Sequence, residues 1–223
     1  MIKKVIAAMN GLYLCVIRGS QDTYSGFFFL TRIKKDRDNI ISLVGVNMTK
    51  NHIKVTGRGN LIESKNNLIE NSKLVINGEN NKLILHPNVK LRNADVVIRG
   101  SDNVVEIGKG TTFGGVRIVN VGQGNVVDIG ENCLFSDHIE VWASDTHSIF
   151  NEENVKINTE KPIHIGDNVW VGSRVIVLKG VKIGDGGIVG MGTLVSKDIP
   201  PKSIVVGNPN RVVKNNVYWT NEY

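Results

Sequence analysis

An aliphatic residue returns at every sixth position along the stretch 165–195, and most positions between are small, polar or β-branched. The series is Ile165, Val171, Val177, Ile183, Val189 and Val195. Neither the helical period of 3.6 residues nor strand alternation produces a six-residue repeat. Short strands that form flat faces, each with one inward apolar residue, do produce it, and three faces make a coil of about 18 residues. The pattern therefore predicts an all-β fold, a parallel β-helix.

A second repeat precedes the first and is slightly longer. Asparagines recur in similar turns at Asn60, Asn81, Asn103 and Asn125, with spacings of 21, 22 and 22 residues. Alignment on them stacks Leu85 over Ile107 and Ile129, Leu91 over Phe113 and Phe135, and Val97 over Val119 and Val141. Three six-residue faces plus one enlarged corner explain the spacing, and asparagine tolerates a left-handed backbone at such corners. One further step of 22 residues places His147 at this corner.

These repeats divide the chain into three parts. Residues 1–52 lack the six-residue beat and are predicted to form an irregular cap. Residues 53–200 are predicted to form the β-helix, interrupted by an excursion over residues 148–161, because 14 residues more than one coil needs separate Ile129 from Ile165. Residues 201–223 are predicted to form a C-terminal tail. Long unpatterned loops in repeat proteins are often functional.

Charge and cysteine content indicate the type of partner and the cellular compartment. The formal net charge of +6 favours an anionic partner, but there is no run of five basic residues, so we expect no nucleic-acid partner. Cys15 and Cys133 lack paired or zinc-site spacing and are interpreted as free thiols in a reducing cytoplasm. The apolar segment within residues 1–20 is too short to span a membrane, and we interpret it as a buried or interface element.

Three motifs carry a family resemblance. The runs IGDNVWVG (165–172), GVKIGD (180–185) and DIPPKSIVVGNPNRVV (198–213) resemble the hexapeptide-repeat acyltransferases, and most closely the bacterial capsule and lipopolysaccharide sugar O-acetyltransferases. The resemblance implies a left-handed β-helix that assembles as a cyclic homotrimer with active sites between subunits. It also implies acetyl-CoA as co-substrate and a hydroxyl of a bacterial surface saccharide as acceptor.

The same resemblance identifies His147, in the run Asp-Thr-His-Ser-Ile-Phe, as the catalytic general base. Imidazole, with a reference pKa of about 6.5, suits proton removal from a sugar hydroxyl near neutrality; the alternative is a histidine that merely occupies the corner. Asp145 would orient the imidazole, stabilise its charged form or bind the acceptor, and the alternative is a turn cap. Trp142 faces outward and would contact the sugar or lie in a subunit interface.

Cofactor contacts are also implied by the resemblance. The matching positions are Trp170, Ser173, Met191, Ser196, Lys197, Arg211 and Lys214. Met191 departs from the alanine that is usual in the family, which would crowd or repack the pantetheine channel. Lys197, Arg211 and Lys214 would bind the ribose phosphate and pyrophosphate, and the alternative is that they are ordinary solvated cations.

Two other functions remain open from the sequence. One is an N-acetyltransferase that acts on an amino sugar or an antibiotic, and the other is a non-catalytic β-helix that binds glycans. A metal-dependent enzyme is not expected, because the five histidines include no His-x4-His pair. Only Ser144 and Ser148 are nucleophiles close to His147, so we expect direct transfer in a ternary complex rather than a covalent intermediate.

Overall fold

The computed structural model describes residues 22–222 and, before them, the backbone of two short strands that pair antiparallel. The predicted role of the apolar N-terminal segment concerns side chains outside the described residues. Within the described ranges the chain forms strands and turns only. The described residues therefore include no helix that could cross a membrane. The prediction of an all-β fold is confirmed.

The strands are as follows in chain order: β1 (Ile6–Met9), β2 (Leu12–Cys15), β3 (Thr23–Phe29), β4 (Arg32–Lys35), β5 (Ile40–Thr49), β6 (His52–Arg58), β7 (Leu61–Lys65), β8 (Leu68–Glu70), β9 (Lys73–Glu79), β10 (Lys82–Leu85), β11 (Lys90–Arg92), β12 (Ala94–Ser101), β13 (Val104–Ile107), β14 (Thr112–Phe113), β15 (Val116–Gln123), β16 (Val126–Ile129), β17 (Leu134–Phe135), β18 (Ile139–Trp142), β19 (Ile163–Ile165), β20 (Trp170–Val171), β21 (Ile176–Leu178), β22 (Lys182–Ile183), β23 (Ile188–Val189), β24 (Leu194–Val195), β25 (Ser203–Val206) and β26 (Arg211–Asn215).

Parallel pairing between successive coils builds three faces of a solenoid. Face one contains the first part of β5 and then β7, β10, β13, β16, β19 and β22. Face two contains the second part of β5 and then β8, β11, β14, β17, β20, β23 and β25, with β26 antiparallel at its end. Face three contains β4, β6, β9, β12, β15, β18, β21 and β24. The left-handed sense of the coil comes from the resemblance alone.

The core is a column of side chains that point inward from each face. Two of the predicted stacks, the one from Leu85 to Ile129 and the one from Leu91 to Phe135, are paired and buried as expected. The third stack holds only in part: Val97 pairs with Val119 as expected, but Val119 then pairs with Trp142, and Val141 pairs with Ile118. The corner before β18 holds one extra residue, and a one-residue shift moves a side chain to the other side of a sheet.

The repeating asparagines have a different role from the predicted one. Asn60, Asn81, Asn103 and Asn125 are buried rather than placed at a left-handed corner position. The Nδ2 of Asn81 donates to Oδ1 of Asn60 at 3.0 Å, and the Nδ2 of Asn103 donates to Oδ1 of Asn81 at 3.0 Å. Positive φ belongs to the residue before each asparagine, as at Gly59 and Gly124. The spacing of the asparagines is as the sequence shows, but its cause is a ladder of hydrogen bonds between their side-chain amides, which the sequence analysis did not predict.

The N-terminal boundary also differs from the prediction. Parallel pairing begins with β3 on β5 and β4 on β6, so the solenoid includes residues from Thr23 rather than from residue 53. The six-residue beat is not visible in these first coils, where β5 alone runs for 10 residues across faces one and two. At the C-terminal end, β25 extends face two before β26 folds back on it.

Candidate functional site

The excursion leaves the solenoid at the corner between faces three and one. β18 ends at Trp142 and β19 begins at Ile163, and the residues between form a small hairpin. A bridge joins Phe150 to Lys156, and the amide of Ile157 donates to the carbonyl of Ile149 at 2.9 Å. The hairpin therefore projects from the face-three edge as an ordered element.

His147 lies at the base of this hairpin with its side chain exposed. Its neighbour Thr146 has a φ of 62°, which is a rare backbone conformation for a β-branched residue. The amide of Thr146 donates to Oγ of Ser144 at 3.0 Å, which closes a tight turn. Strained residues of this kind are concentrated at functional sites, where the surrounding structure holds them in place.

A network that we call the Asn158 clamp fixes the backbone of His147. The Nδ2 of Asn158 donates to the carbonyl of His147 and to Oδ2 of Asp145, both at 2.8 Å. Oδ1 of Asn158 accepts from the amide of Ile149 at 2.7 Å. The Nζ of Lys179, one coil further along, donates to Oδ2 of Asp145 at 2.5 Å. The clamp thus ties both legs of the hairpin to the next coil of the solenoid.

The clamp also affects the titration of Asp145. The hydrogen bond from Lys179 lowers the pKa of the Asp145 carboxyl below its usual range, with a further contribution from Asn158. The carboxylate is therefore bonded to Lys179 and Asn158, and among the described residues it has no hydrogen bond to the His147 ring. Asp145 is placed to hold the turn that carries His147, which agrees with the turn-cap alternative, and its roles toward the imidazole or the acceptor stay predictions.

Asn158 and Lys179 were missed by the sequence analysis. Asn158 lies in the unpatterned excursion, where no period marks a special position. Lys179 precedes the Gly180-Val181 pair of the second family motif, so its place at a corner between faces could have been read from the repeat. Its contact with Asp145 could not have been predicted, because that contact depends on the path of the inserted segment.

Trp142 lies on the outer side of face three, as predicted, and is half-buried. Its Nε1 donates to Oε2 of Glu140 at 2.6 Å, and the guanidinium of Arg117 lies 5.3 Å from the ring centroid. A cation at this distance interacts favourably with the ring face. The indole is therefore held in position beside the corner from which the hairpin with His147 projects.

Four of the seven predicted cofactor residues lie at two corners of the solenoid. Ser196 and Lys197 occupy the same corner as the excursion, because they follow β24 of face three. Ser173 and Met191 occupy the corner between faces two and three, one coil apart, and the amide of Gly192 donates to the carbonyl of Ser173 at 2.9 Å. Met191 is 73% exposed, so it does not fill a channel within a single subunit.

Ser173 already has a protein partner. Its hydroxyl donates to Oδ1 of Asp137, and Oδ2 of Asp137 lies 3.0 Å from Nδ1 of His138. These hydrogen bonds, with that from Ser173 the larger, lower the pKa of the Asp137 carboxyl. Any contact of Ser173 with a cofactor would therefore share the hydroxyl with Asp137.

The C-terminal tail fixes the corner that contains Ser196 and Lys197. Oδ1 of Asn210 accepts from the amides of Ser196 and Lys197 at 3.0 and 3.1 Å, which fixes the corner next to Arg211. Asn210 was missed as a positioning residue, although the family motif contains it.

Lys214 and Arg211 lie on exposed β26. Neither of them, nor Lys197, has an ion-pair partner among the residues that the structure describes. Trp170 packs near Trp219 of the tail, with ring centroids 6.1 Å apart.

Comparison with protein families gives one match. The family model described as "Bacterial transferase hexapeptide (six repeats)" matches residues 162–197. Curated relatives in Staphylococcus aureus (strain COL) are 50% identical over 70 residues, which is 31% of this chain and 35% of theirs. The galactoside O-acetyltransferase of Escherichia coli (strain K12) is 51% identical over 53 residues, 24% of this chain and 26% of that protein. The chain thus spans about a third of the length of the staphylococcal relatives it matches.

Two solved structures resemble the chain over nearly its whole length. The polySia-specific acetyltransferase NeuO is 30% identical with a TM-score of 0.67, and the match covers 91% of this chain and 88% of NeuO. The polysialic acid O-acetyltransferase OatWY is 26% identical with a TM-score of 0.73, over 91% of this chain and 90% of OatWY. Both similarities extend through the early coils, where the family model does not match.

Proposed function

Because this chain belongs to the hexapeptide-repeat acyltransferase superfamily, we propose that it transfers an acetyl group from acetyl-CoA to a hydroxyl of a bacterial surface saccharide. The observation that carries the proposal is the placement of His147, which stands exposed on a strained turn that the Asn158 clamp secures. A base that is accessible and held in one backbone geometry suits proton transfer to or from a bound substrate.

In the proposed reaction, His147 removes the proton of the acceptor hydroxyl as its oxygen attacks the thioester carbonyl. The C–S bond then breaks, and the CoA sulfur leaves with a proton returned from the imidazolium. Lys197, Arg211 and Lys214 would bind the phosphates of acetyl-CoA, which fits exposed cations without carboxylate partners. Trp142, held by Glu140 and Arg117, would offer its ring to the acceptor sugar.

We further infer that the acceptor is an acidic glycan. The formal net charge of +6 supports an anionic substrate, and NeuO and OatWY are both named for polysialic acid, a polymer of carboxylate sugars. The buried Cys133, a free thiol whose pKa burial raises to about 11, accords with a site of action in the reducing cytoplasm.

We also propose that the protein acts as a homotrimer. The hairpin exposes four large apolar side chains, those of Ile149, Phe150, Val155 and Ile157. Apolar side chains grouped on one projecting element are typical of a surface that a partner covers. A cyclic arrangement would carry the hairpin and His147 to the Ser173 and Met191 corner of a neighbouring subunit.

The replacement His147→Ala tests the catalytic assignment. Loss of the base should lower kcat by about 100-fold to 10,000-fold, while affinity for CoA and the unfolding transition remain unchanged. Free-thiol release from acetyl-CoA is measured with acidic and neutral bacterial glycans as acceptors. Activity retained by the variant would contradict the assignment.

The nature of the product decides between acceptors. An ester that mild alkali removes supports a hydroxyl acceptor, whereas an alkali-stable product would identify an amine acceptor. Absence of both thiol release and CoA binding would leave a glycan-binding β-helix without catalytic activity.

A further inference from the structure

Positive charge is concentrated in the first coils, far from His147. Residues 22–102 contain 13 lysines and arginines and 8 aspartates and glutamates, whereas residues 103–222 contain 11 and 13 respectively. The net positive charge of the described chain therefore comes from its N-terminal half. The catalytic half is slightly acidic.

On the middle coils of face three, outward charges alternate in sign from coil to coil. On face three, Lys73 pairs in register with Asp95, and Asp95 pairs with Arg117, which in turn pairs with Glu140. Opposite charges on neighbouring strands stabilise a sheet, and like charges directly opposite destabilise it. The alternation is thus what stability alone would favour.

The first strands of face three break this rule. Lys34 of β4 lies directly opposite Lys54 of β6, and Arg32 lies opposite His52, which lies opposite Lys73 of β9. We call these five residues the basic patch. Its arginine and its three lysines are exposed. In the described chain no ion pair involves Arg32, Lys34, Lys54 or Lys73.

Two carboxylates of the same coils, those of Asp22 and Asp36, already have partners. Asp22 pairs with Lys35 at 2.9 Å, and Oδ2 of Asp36 accepts from the amide of Gly57 at 2.9 Å. Asp95 follows Lys73 in the next coil and faces Arg117 on its other side. Lys34 and Lys54 therefore lie opposite each other, and among the described residues no carboxylate forms an ion pair with either, so an external anion would relieve their repulsion.

We propose that the basic patch is a second binding site, distinct from the catalytic corner, for a distant part of a polycarboxylate glycan chain. The proposal rests on the proposed acceptor class. The patch and Trp142 lie on the same face, four strand spacings apart from β6 to β18, which is about 19 Å. A long acceptor can reach both places, whereas a short one reaches only the catalytic corner. Binding at the patch raises the local concentration of the chain beside His147.

A glycan accounts for the patch better than nucleic acid does. Sites for single-stranded nucleic acid combine cations with aromatic rings on which bases stack, and the patch contains no aromatic residue other than His52. Four lysine and arginine side chains on a flat sheet instead offer point charges at intervals of one strand spacing. Such an array suits a polymer that carries one carboxylate on each sugar.

The test uses the double variant Lys34→Gln and Lys54→Gln, with Lys65→Gln and Lys90→Gln as the control. The control pair is also exposed and removes the same charge, but from faces one and two. Acetyl transfer is measured against polysialic acid and against its short oligomers at saturating acetyl-CoA. The patch variant should have a KM for the polymer about tenfold higher than that of the wild type, with kcat and the KM for the oligomers unchanged. The slope of log binding constant against log salt concentration should fall by an amount that corresponds to about two lost cation contacts.

A binding measurement keeps this proposal separate from the proposed reaction. Fluorescence polarisation of labelled polysialic acid with His147→Ala and no acetyl-CoA should show the same weakening in the patch variant, whether or not the wild type transfers acetyl groups. Equal loss in the control pair would overturn the proposal, as would equal loss for polymer and oligomer. Tighter patch-dependent binding of a single-stranded DNA or of phosphatidylglycerol vesicles would also overturn it.

Discussion

A partner from another coil lowers the pKa of the Asp145 carboxyl. Lys179 is the main cause of its low pKa, and Asn158 adds to it. A carboxyl whose pKa is lowered on folding stabilises the native state at pH values above its unfolded pKa, and this contribution is lost as the pH falls through the folded pKa. Because Asp145 is partly exposed, solvent screens the effect, and its main consequence is local geometry.

The replacement Lys179→Met should raise the pKa of Asp145 toward the model-compound value of 3.8. Asn158→Ala should raise it less, because the lysine is the larger cause. The pKa is measured by following the carboxyl resonance of Asp145 by NMR as a function of pH. An unchanged pKa in Lys179→Met would show that the ion pair does not form in solution.

Asn158→Ala should also lower kcat, by about tenfold to 100-fold, because the variant releases the backbone of His147 from the clamp. Asn151→Ala, at the tip of the same hairpin, is the matched control and should retain activity. If His147 needs no fixed backbone, the two variants will have the same kcat. A positioning role further predicts that Asn158→Ala leaves the pH profile of kcat/KM in place.

At the scale of elements, the asparagine ladder holds the longer coils in register. The side-chain amides of Asn60, Asn81 and Asn103 each donate to the asparagine one coil before and to a carbonyl one coil after, as Asn81 does to Asn60 and to Gly100. Such a ladder satisfies polar groups that water cannot reach. It also explains why the asparagines recur with the period of a coil.

Asn81→Ala should therefore lower the free energy of unfolding by about 1–3 kcal/mol, because the neighbouring amides lose a buried partner. The exposed Asn77, on the same coil, is the control, and Asn77→Ala should change stability by less than about 0.5 kcal/mol. Urea unfolding monitored by circular dichroism gives both values. Equal stabilities would mean that the ladder contributes nothing beyond spacing.

Sequence alone could predict the elements whose side chains repeat, but not those fixed by a single contact. The six-residue beat and the inward stack from Leu91 to Phe135 follow directly from burial on flat faces. The corners before β12 and β15 are one residue shorter than the six-residue beat requires, so the beat assigns Val97 and Val119 to inward positions that Val96 and Ile118 occupy. Asn158 acts through contacts across the excursion, which no periodic pattern encodes.

At the scale of the whole molecule, the exposed hairpin argues for assembly. Phe150→Asp places a charge in the apolar surface, which should weaken the proposed trimer because burial of an unpaired charge is costly. Leu30→Asp, at an exposed apolar residue of the first coils, is the control. Light scattering should give three times the chain mass of 24.5 kDa for the wild type and the control, and a lower mass for Phe150→Asp. A wild-type monomer would refute the trimer.

The coils between the basic patch and the hairpin are nearly interchangeable. Successive strands of face three are related by 22 residues from β9 to β12 and again from β12 to β15, and each coil contacts mainly its two neighbours. A whole coil could therefore be gained or lost in evolution while the catalytic corner and the patch each stay intact. Each such event would move them apart or together by one strand spacing, about 4.8 Å. The solenoid would then act as a ruler, and its number of coils would set the shortest acceptor that reaches both ends.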